Sequence, residues 1–138
     1  MEIQVTGLEN LIDGLASAQN ISEKMRARME AQGDAVLRQV KRLAGERTVK
    51  RSGNYLDGIR RGQVYKYEPE KSYAVRVYAG APAHHAHLLE YGHAVWPYKE
   101  RRTRALHVFE DARLAEKDRT EDALIRALSF DLEEVFRV

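Results

Sequence analysis

The 138-residue chain contains no cysteine, which excludes disulfide bonds and thiolate metal sites. It also lacks any apolar run approaching the roughly 18–20 residues that span a bilayer. Residues 1–16 include acidic side chains and no basic region before their apolar run, unlike a signal peptide. Since 43% of the residues are hydrophobic and supply a core, we expect a single soluble domain over residues 1–138 in a reducing, intracellular compartment.

Motifs that would carry a reaction are missing as well. The sequence has no G-x-S-x-G nucleophile elbow, no phosphate-binding glycine loop and no H-E-x-x-H pair. Paired carboxylates are abundant, but they lie on helices that we expect to be exposed. We therefore predict a protein that is not an enzyme and that uses no cofactor.

Four of the five histidines lie close together, at His84, His85, His87 and His93. A helix would place His84, His87 and Glu90 on one face, because they are three residues apart, and they could then act as metal ligands. Neutral imidazoles with one carboxylate do not require a metal, and no second carboxylate–histidine motif accompanies them. We predict no metal site, and a metal-dependent hydrolase built on these three residues remains an alternative.

The net charge of +2 is small, but it is unevenly distributed. Residues 41–61 carry seven Lys or Arg side chains against two acidic ones, whereas acidic residues outnumber basic ones from Glu110 onward. Such polarity suits head-to-tail contacts between subunits or contact with a polyanion. The alternative function is therefore a small nucleic-acid-associated protein that uses its basic glycine-rich loop, with Tyr55 stacking on a base.

The apolar spacing of the first half predicts helices followed by a small sheet. Residues 2–6 alternate like a short strand, and two amphipathic helices follow, a short one after Gly7 and a long one over 21–43. A basic, glycine-rich loop with at most one helical turn is expected near 46–62. Two strands within 62–69 and 72–80 then form an antiparallel hairpin.

The second half predicts further helices. A short helix over 84–91 ends at Gly92, and an extended piece continues through Trp96. A basic loop leads into a helix from about Arg104, and Thr120 caps a final amphipathic helix. We predict an α+β fold in which a long N-terminal helix and C-terminal helices pack on a small antiparallel sheet.

Short motifs occur in an order that is typical of one protein family. Residues 5–11 read V-x-G-L-x-x-L, residues 52–59 read "SGNYLDGI", and residues 86–93 read "AHLLEYGH". Over roughly residues 1–115 the chain resembles the gene-product-10-like tail-component family of long-tailed bacteriophages. It departs from the usual pattern by an extra residue before Leu56 and by lacking the Pro-rich stretch that often follows the glycine of the last motif.

Members of this family act in head–tail joining, neck formation or tail completion. The resemblance therefore implies a structural virion protein that is assembled in the host cytoplasm. It also implies a ring of several copies, contacts with other neck, connector or tail proteins, and some contact with packaged DNA.

The resemblance also implies roles for the motif residues, which are Ser52, Gly53, Leu56, Leu89, Glu90, Tyr91 and Gly92. The chain would turn at Gly92, with Leu88 and Leu89 in the core. Glu90 would face a backbone donor or a basic partner, and Tyr91 would pack near the sheet.

Partner contacts are expected from the basic loop, the histidines and the segment from Trp96 to Arg104. Trp and Arg are enriched at interface hot spots, so Trp96 is predicted as an anchor, with core burial as its alternative. The histidines would make assembly depend on pH near 6–7. The predicted interface residues are Arg51, Tyr55, Arg60, Arg61, His84, His87, His93, Trp96, Arg101, Arg102 and Arg104.

Overall fold

The computed structural model describes residues 8–49, 52–67 and 72–137. The strand expected over residues 2–6 and the predicted interface residue Arg51 lie outside the described residues. In chain order the elements are α1 (Leu8–Arg47), α2 (Asn54–Gly58), β1 (Ile59–Arg61), β2 (Tyr65–Tyr67), β3 (Ser72–Ala74), β4 (Val77–Ala79), α3 (Ala86–Tyr91), β5 (Ala94–Val95), β6 (Tyr98–Arg102) and α4 (Val108–Val135).

The frame of the fold is the pair of long antiparallel helices α1 and α4. Near the end of α4, Asp131 is 1% exposed and accepts a hydrogen bond from the Arg28 guanidinium at 2.9 Å. Lys24 and Glu134 form a second, exposed ion pair at 3.2 Å one turn further on. Because a buried carboxylate needs a charged or polar partner, the Arg28–Asp131 pair fixes the register of the two helices.

The core lies at the other end of this helix pair, where short elements pack against it. Its buried side chains come from α1, α2, β1, the segment before α3 and the first turns of α4. They are Val40, Leu43, Ala44, Tyr55, Ile59, Ala83, Val108 and Ala112.

Within the part of the chain that the structure describes, the strands form three separate two-stranded antiparallel sheets. In the first sheet β1 pairs with β4, with Ile59 opposite Ala79 and Arg61 opposite Val77. The second pairs β2 with β3, and the third pairs β5 with β6. Among the described residues, no helix is long and apolar enough to cross a membrane.

The α+β class is confirmed, as is the antiparallel pairing of β2 with β3. The strand expected within 72–80 is interrupted at Val75 and Arg76, and its second half, β4, pairs instead with β1. β1 lies inside the region expected to be a loop near 46–62, which also contains the end of α1 and the helical turn α2. A three-residue strand between glycines is too short to show alternation of apolar and polar residues, so the sequence pattern did not predict β1.

Two further expectations about the helices were wrong. The two N-terminal helices are one continuous α1, which runs past residue 43, where the second helix was expected to end, and through Gly45. The two C-terminal helices are one continuous α4, so Thr120 is an interior residue and not a cap. Packing of α1 along α4 explains both results, since tertiary contacts override weak local stop signals.

Gly58 is predicted to be intolerant of any side chain, whereas Gly45 is predicted to accept one. A Cβ at Gly58 would meet the Ala83 side chain and lie 2.5 Å from the Gly80 carbonyl oxygen, but nothing lies within 4 Å of a Cβ at Gly45. We expect Gly58→Ala to lower the free energy of unfolding by about 2 kcal/mol or more. Gly45→Ala, the matched control, should raise it by about 0.5–1 kcal/mol because it favours the helix.

Urea unfolding followed by circular dichroism measures both changes. Equal effects of the two substitutions would contradict the close packing of Gly58 against the segment before α3.

Candidate partner interface

The Glu90 carboxylate joins α3 to the start of α4. It is 7% exposed and accepts hydrogen bonds from the backbone N–H groups of Val108 (2.9 Å), Phe109 (3.1 Å) and Glu110 (3.2 Å). The residue before the helix, His107, adopts φ 48° and makes no side-chain cap. Glu90 therefore caps α4 from a distant part of the chain, and its negative charge suits the positive end of the helix dipole.

We call the contact between Glu90 and the start of α4 the joint. Further backbone and side-chain hydrogen bonds hold it in place. The N–H of Leu106 donates to the Leu89 carbonyl at 2.9 Å. Arg47, in the last turn of α1, donates to the Leu106 carbonyl at 2.7 Å and to the Asp111 carboxylate at 2.6 Å. The ends of α1, α3 and α4 are thus fixed relative to one another.

Gly92 ends α3 and sets the direction of the following chain. Its φ is 71°, and a Cβ there would lie 2.5 Å from the Thr103 carbonyl oxygen. Both the backbone conformation and the space require glycine. The sharp turn that the motif implied at this position is therefore present.

The other motif, around Ser52 and Gly53, forms a tight turn into α2. Gly53 has φ 83°, and the Ser52 hydroxyl accepts a hydrogen bond from the Asn54 N–H at 3.3 Å. Leu56 packs against the core that contains Tyr55. Both motifs therefore stabilise the fold in the region where the core meets α3.

Tyr55 lies in the core, 7% exposed, beside the Glu90 joint. Burial, together with the negative charge of Glu90, raises the pKa of Tyr55 to about 12. Its hydroxyl has no hydrogen-bond partner among the described residues. A buried ring cannot stack on a base, so this part of the nucleic-acid interpretation is wrong.

The segment after Gly92 forms a β-hairpin that projects from the joint. At its base, Thr103 N–H donates to the His93 carbonyl at 2.8 Å, and His93 N–H donates to the Thr103 hydroxyl at 2.9 Å. Every residue of β5 and β6 is exposed, and the turn between them carries Trp96. We call residues Ala94–Arg102 the hairpin.

The hairpin presents aromatic and basic side chains to solvent. Trp96 is 83% exposed and Tyr98 is 60% exposed, and the Arg101 guanidinium lies over the Tyr98 ring at 5.1 Å. Core burial of Trp96, the alternative considered from the sequence, is therefore wrong. An exposed Trp beside several arginines has the composition of an interface hot spot.

The remaining predicted interface residues fall into two groups. Arg60 donates to the Ala81 carbonyl, and Arg61 donates to Asp34 at 2.6 Å, so contacts within the chain engage both. The other group is exposed or half-buried on the surface around α3 and the hairpin. It comprises His84, His87, His93, Arg101, Arg102 and Arg104.

One residue of the "LLEYGH" motif, Leu88, lies outside the core, contrary to expectation. Leu88 is exposed, whereas Leu89 packs against the core as expected. Tyr91 is 70% exposed, although it borders a shallow groove beside β4. The sequence analysis treated both leucines alike because a short helix gives too few residues to show which side is buried.

The metal alternative based on His84, His87 and Glu90 has no support in the geometry. Both oxygens of Glu90 accept hydrogen bonds from the start of α4. Within the described residues, no group of three His, Asp or Glu side chains is arranged to hold a metal ion.

Val95 and Tyr98 were not among the predicted interface residues, although both are exposed beside Trp96. The sequence analysis expected a basic loop after Trp96, because "YKERR" shows no alternation of apolar and polar residues. The Trp-Pro pair between two short β-prone segments is the signal that would have indicated a hairpin turn.

Comparison with known families identifies the chain. A family model described as "Bacteriophage HK97-gp10, putative tail-component" matches residues 9–92. The chain belongs to this family. Comparison of this chain with the curated proteins and with the solved structures found no match.

The match to the HK97-gp10-like family ends at Gly92, whereas the sequence alone suggested a resemblance to about Ala115. Both motifs lie inside the matched residues. The hairpin and α4 lie outside them. The matched part thus supplies α1 and the Glu90 carboxylate of the joint. α4 and the exposed aromatic residues of the hairpin belong to the part that follows.

Glu90 is predicted to be the main cap of α4. Glu90→Ala removes the acceptor of three backbone N–H groups, so we expect it to lower the free energy of unfolding by about 2–3 kcal/mol. Glu110→Ala removes an exposed carboxylate from the same helical turn and should change it by less than about 0.5 kcal/mol. Urea unfolding at pH 7 compares them, and similar values for both variants would refute the capping role.

Tyr55 is predicted to make the fold less stable at high pH. Its folded pKa of about 12 exceeds the ordinary value of 10.0, so the unfolded chain loses this proton first, and stability falls as the pH rises from 10 towards 12. We expect Tyr55→Phe to reduce that fall while leaving stability at pH 7 equal or slightly higher, because no partner to the hydroxyl is lost.

Unfolding free energies of the two proteins between pH 8 and 11.5 measure the difference. Tyr98→Phe, at an exposed tyrosine, is the control and should follow the wild-type curve. A parallel decline in the wild type and Tyr55→Phe would show that Tyr55 does not cause it.

Proposed function

We propose that this chain is a structural protein of the phage head–tail interface, which acts in joining, neck formation or tail completion. Membership of a tail-component family supports a structural role in the phage tail. The finer assignment rests on the exposed hairpin, which a rigid joint presents to solvent. Such a projection has no function in the stability of its own domain, but it suits contact with another protein.

Several copies would form a ring and contact neighbouring neck, connector or tail proteins. A subunit of such a ring needs a stiff frame and surfaces of opposite charge on different sides. The helix pair supplies the frame, the hairpin is basic, and acidic residues are concentrated on α4. The proposed role is assembly and involves no catalysis, and the protein would be found in the virion.

Contact with packaged DNA would be secondary. Arg60 and Arg61 are engaged within the chain, and Tyr55 is buried. The small net charge of +2 also favours protein partners over a polyanion.

A stop codon at Tyr55, introduced into the phage or prophage that encodes the chain, tests this proposal. We expect electron microscopy of the lysate to show filled heads and finished tails that are not joined. The truncated chain would lack Glu90, the hairpin and α4, so no function could remain. The wild-type chain supplied from a plasmid should restore joined particles.

Joined particles of normal number in the mutant would overturn the proposal. Tails of abnormal length with intact heads would also overturn the junction role, because they would assign the protein to tail assembly itself.

A further inference from the structure

A stripe of apolar side chains on α4 faces away from α1. Ile125, Leu128 and Leu132 follow one another at intervals of three and four residues, so they share one side of the helix, and Phe136, the residue directly after α4, continues the same spacing. Their exposed fractions range from 38% to 73%. The side that packs on α1 is different, since it contains the buried Asp131. We call these four residues the outer stripe.

The outer stripe lies in an acidic environment. α4 contains nine acidic and four basic residues. Asp118 and Glu121, about two turns and one turn before Ile125 respectively, are exposed and form no ion pair with a described residue. The neighbouring Asp122 has only a long, exposed contact of 4.0 Å with Arg126. The surface is therefore both apolar and negative.

The hairpin has the complementary composition. Its exposed apolar side chains are Val95, Trp96 and Tyr98. Residues 98–104 add four basic side chains against one acidic one. An apolar centre with opposite charges at the rim is the arrangement expected of two surfaces that bind each other.

One chain cannot bring its own hairpin onto its own outer stripe. Ile125 is 17 residues beyond Val108, which corresponds to about 26 Å along α4. The base of the hairpin is held near Val108, and the five residues of β6 span about 17 Å. In addition, every residue of β5 and β6 is exposed, so neither strand is buried against the described part of its own chain.

We propose that the hairpin of one copy binds the outer stripe of a second copy. Trp96 packs among Ile125, Leu128 and Leu132 of that copy, and Arg101 and Arg102 face Asp118 and Glu121. The two surfaces differ and lie at separate places on the molecule, so the contact is heterologous. Repetition of a heterologous contact gives a closed ring or an open filament. The inference rests on the copy-to-copy part of the proposed function and not on its place in the particle.

The absence of native cysteine makes a direct test possible. A chain carrying Tyr98→Cys is mixed with a chain carrying Ile125→Cys and oxidised mildly. We expect a disulfide-linked heterodimer as the main product. The matched control pairs Tyr98→Cys with Arg38→Cys, an exposed position on α1, and should give several-fold less product.

Charge exchange provides a second readout in the purified full chain. Arg101→Glu with Arg102→Glu should weaken self-association by about tenfold or more in sedimentation velocity, as should Asp118→Lys with Glu121→Lys. Mixing the two variants places opposite charges together again at one interface and should restore heteroassociation. Unfolding curves of each variant show whether the fold is retained.

Equal cross-linking at positions 125 and 38, or failure of the mixed variants to associate, would overturn the inference. A junction defect of the Arg101 and Arg102 variant without self-association would assign the hairpin to another tail protein. Salt-sensitive DNA binding that this variant loses would assign the hairpin to DNA. Either of these two results would contradict the copy-to-copy contact and leave the proposed role at the head–tail junction unaffected. Joined particles in the stop-codon mutant would contradict the role at the junction and leave the copy-to-copy contact unaffected.

Discussion

The interaction between the Glu90 carboxylate and the start of α4 holds the parts of this molecule together. A helix begins with backbone N–H groups that need acceptors, and here one carboxylate from α3 serves three of them. Because Glu90 is also buried beside Tyr55, the same contact links the core, the short helix and the long helix. The hairpin begins two residues after Gly92, so its position depends on this joint.

The residues that stabilise the fold and those that are proposed to bind a partner lie in different parts of the molecule. α1 and α4 are held by a buried ion pair at one end and by the apolar core at the other. The three small sheets add little interior of their own, and the third contributes no buried residue. The side chains best suited to bind a partner are therefore those whose substitution lowers the free energy of unfolding least.

The sequence predicted the α+β class, the long N-terminal helix, the β2–β3 pairing and the turn at Gly92, because each depends on local spacing or on glycine. Through the family resemblance it also placed Glu90 against a backbone donor or a basic partner, and the structure shows the backbone donors. It did not predict β1, whose partner β4 is about 18 residues away, or the continuity of α4 through Thr120. Those features arise from contacts between distant segments, which local patterns do not encode.

The boundary at Gly92 has an evolutionary consequence. The residues that match the family model end where the required glycine turn ends, and the hairpin begins immediately afterwards. No residue of β5 or β6 is buried, so substitutions there leave the side chains of the core in place. Under the proposed function, family members would then be able to differ in the surface that binds their neighbours while the matched part keeps its architecture, and such differences would limit the exchange of subunits between unrelated particles.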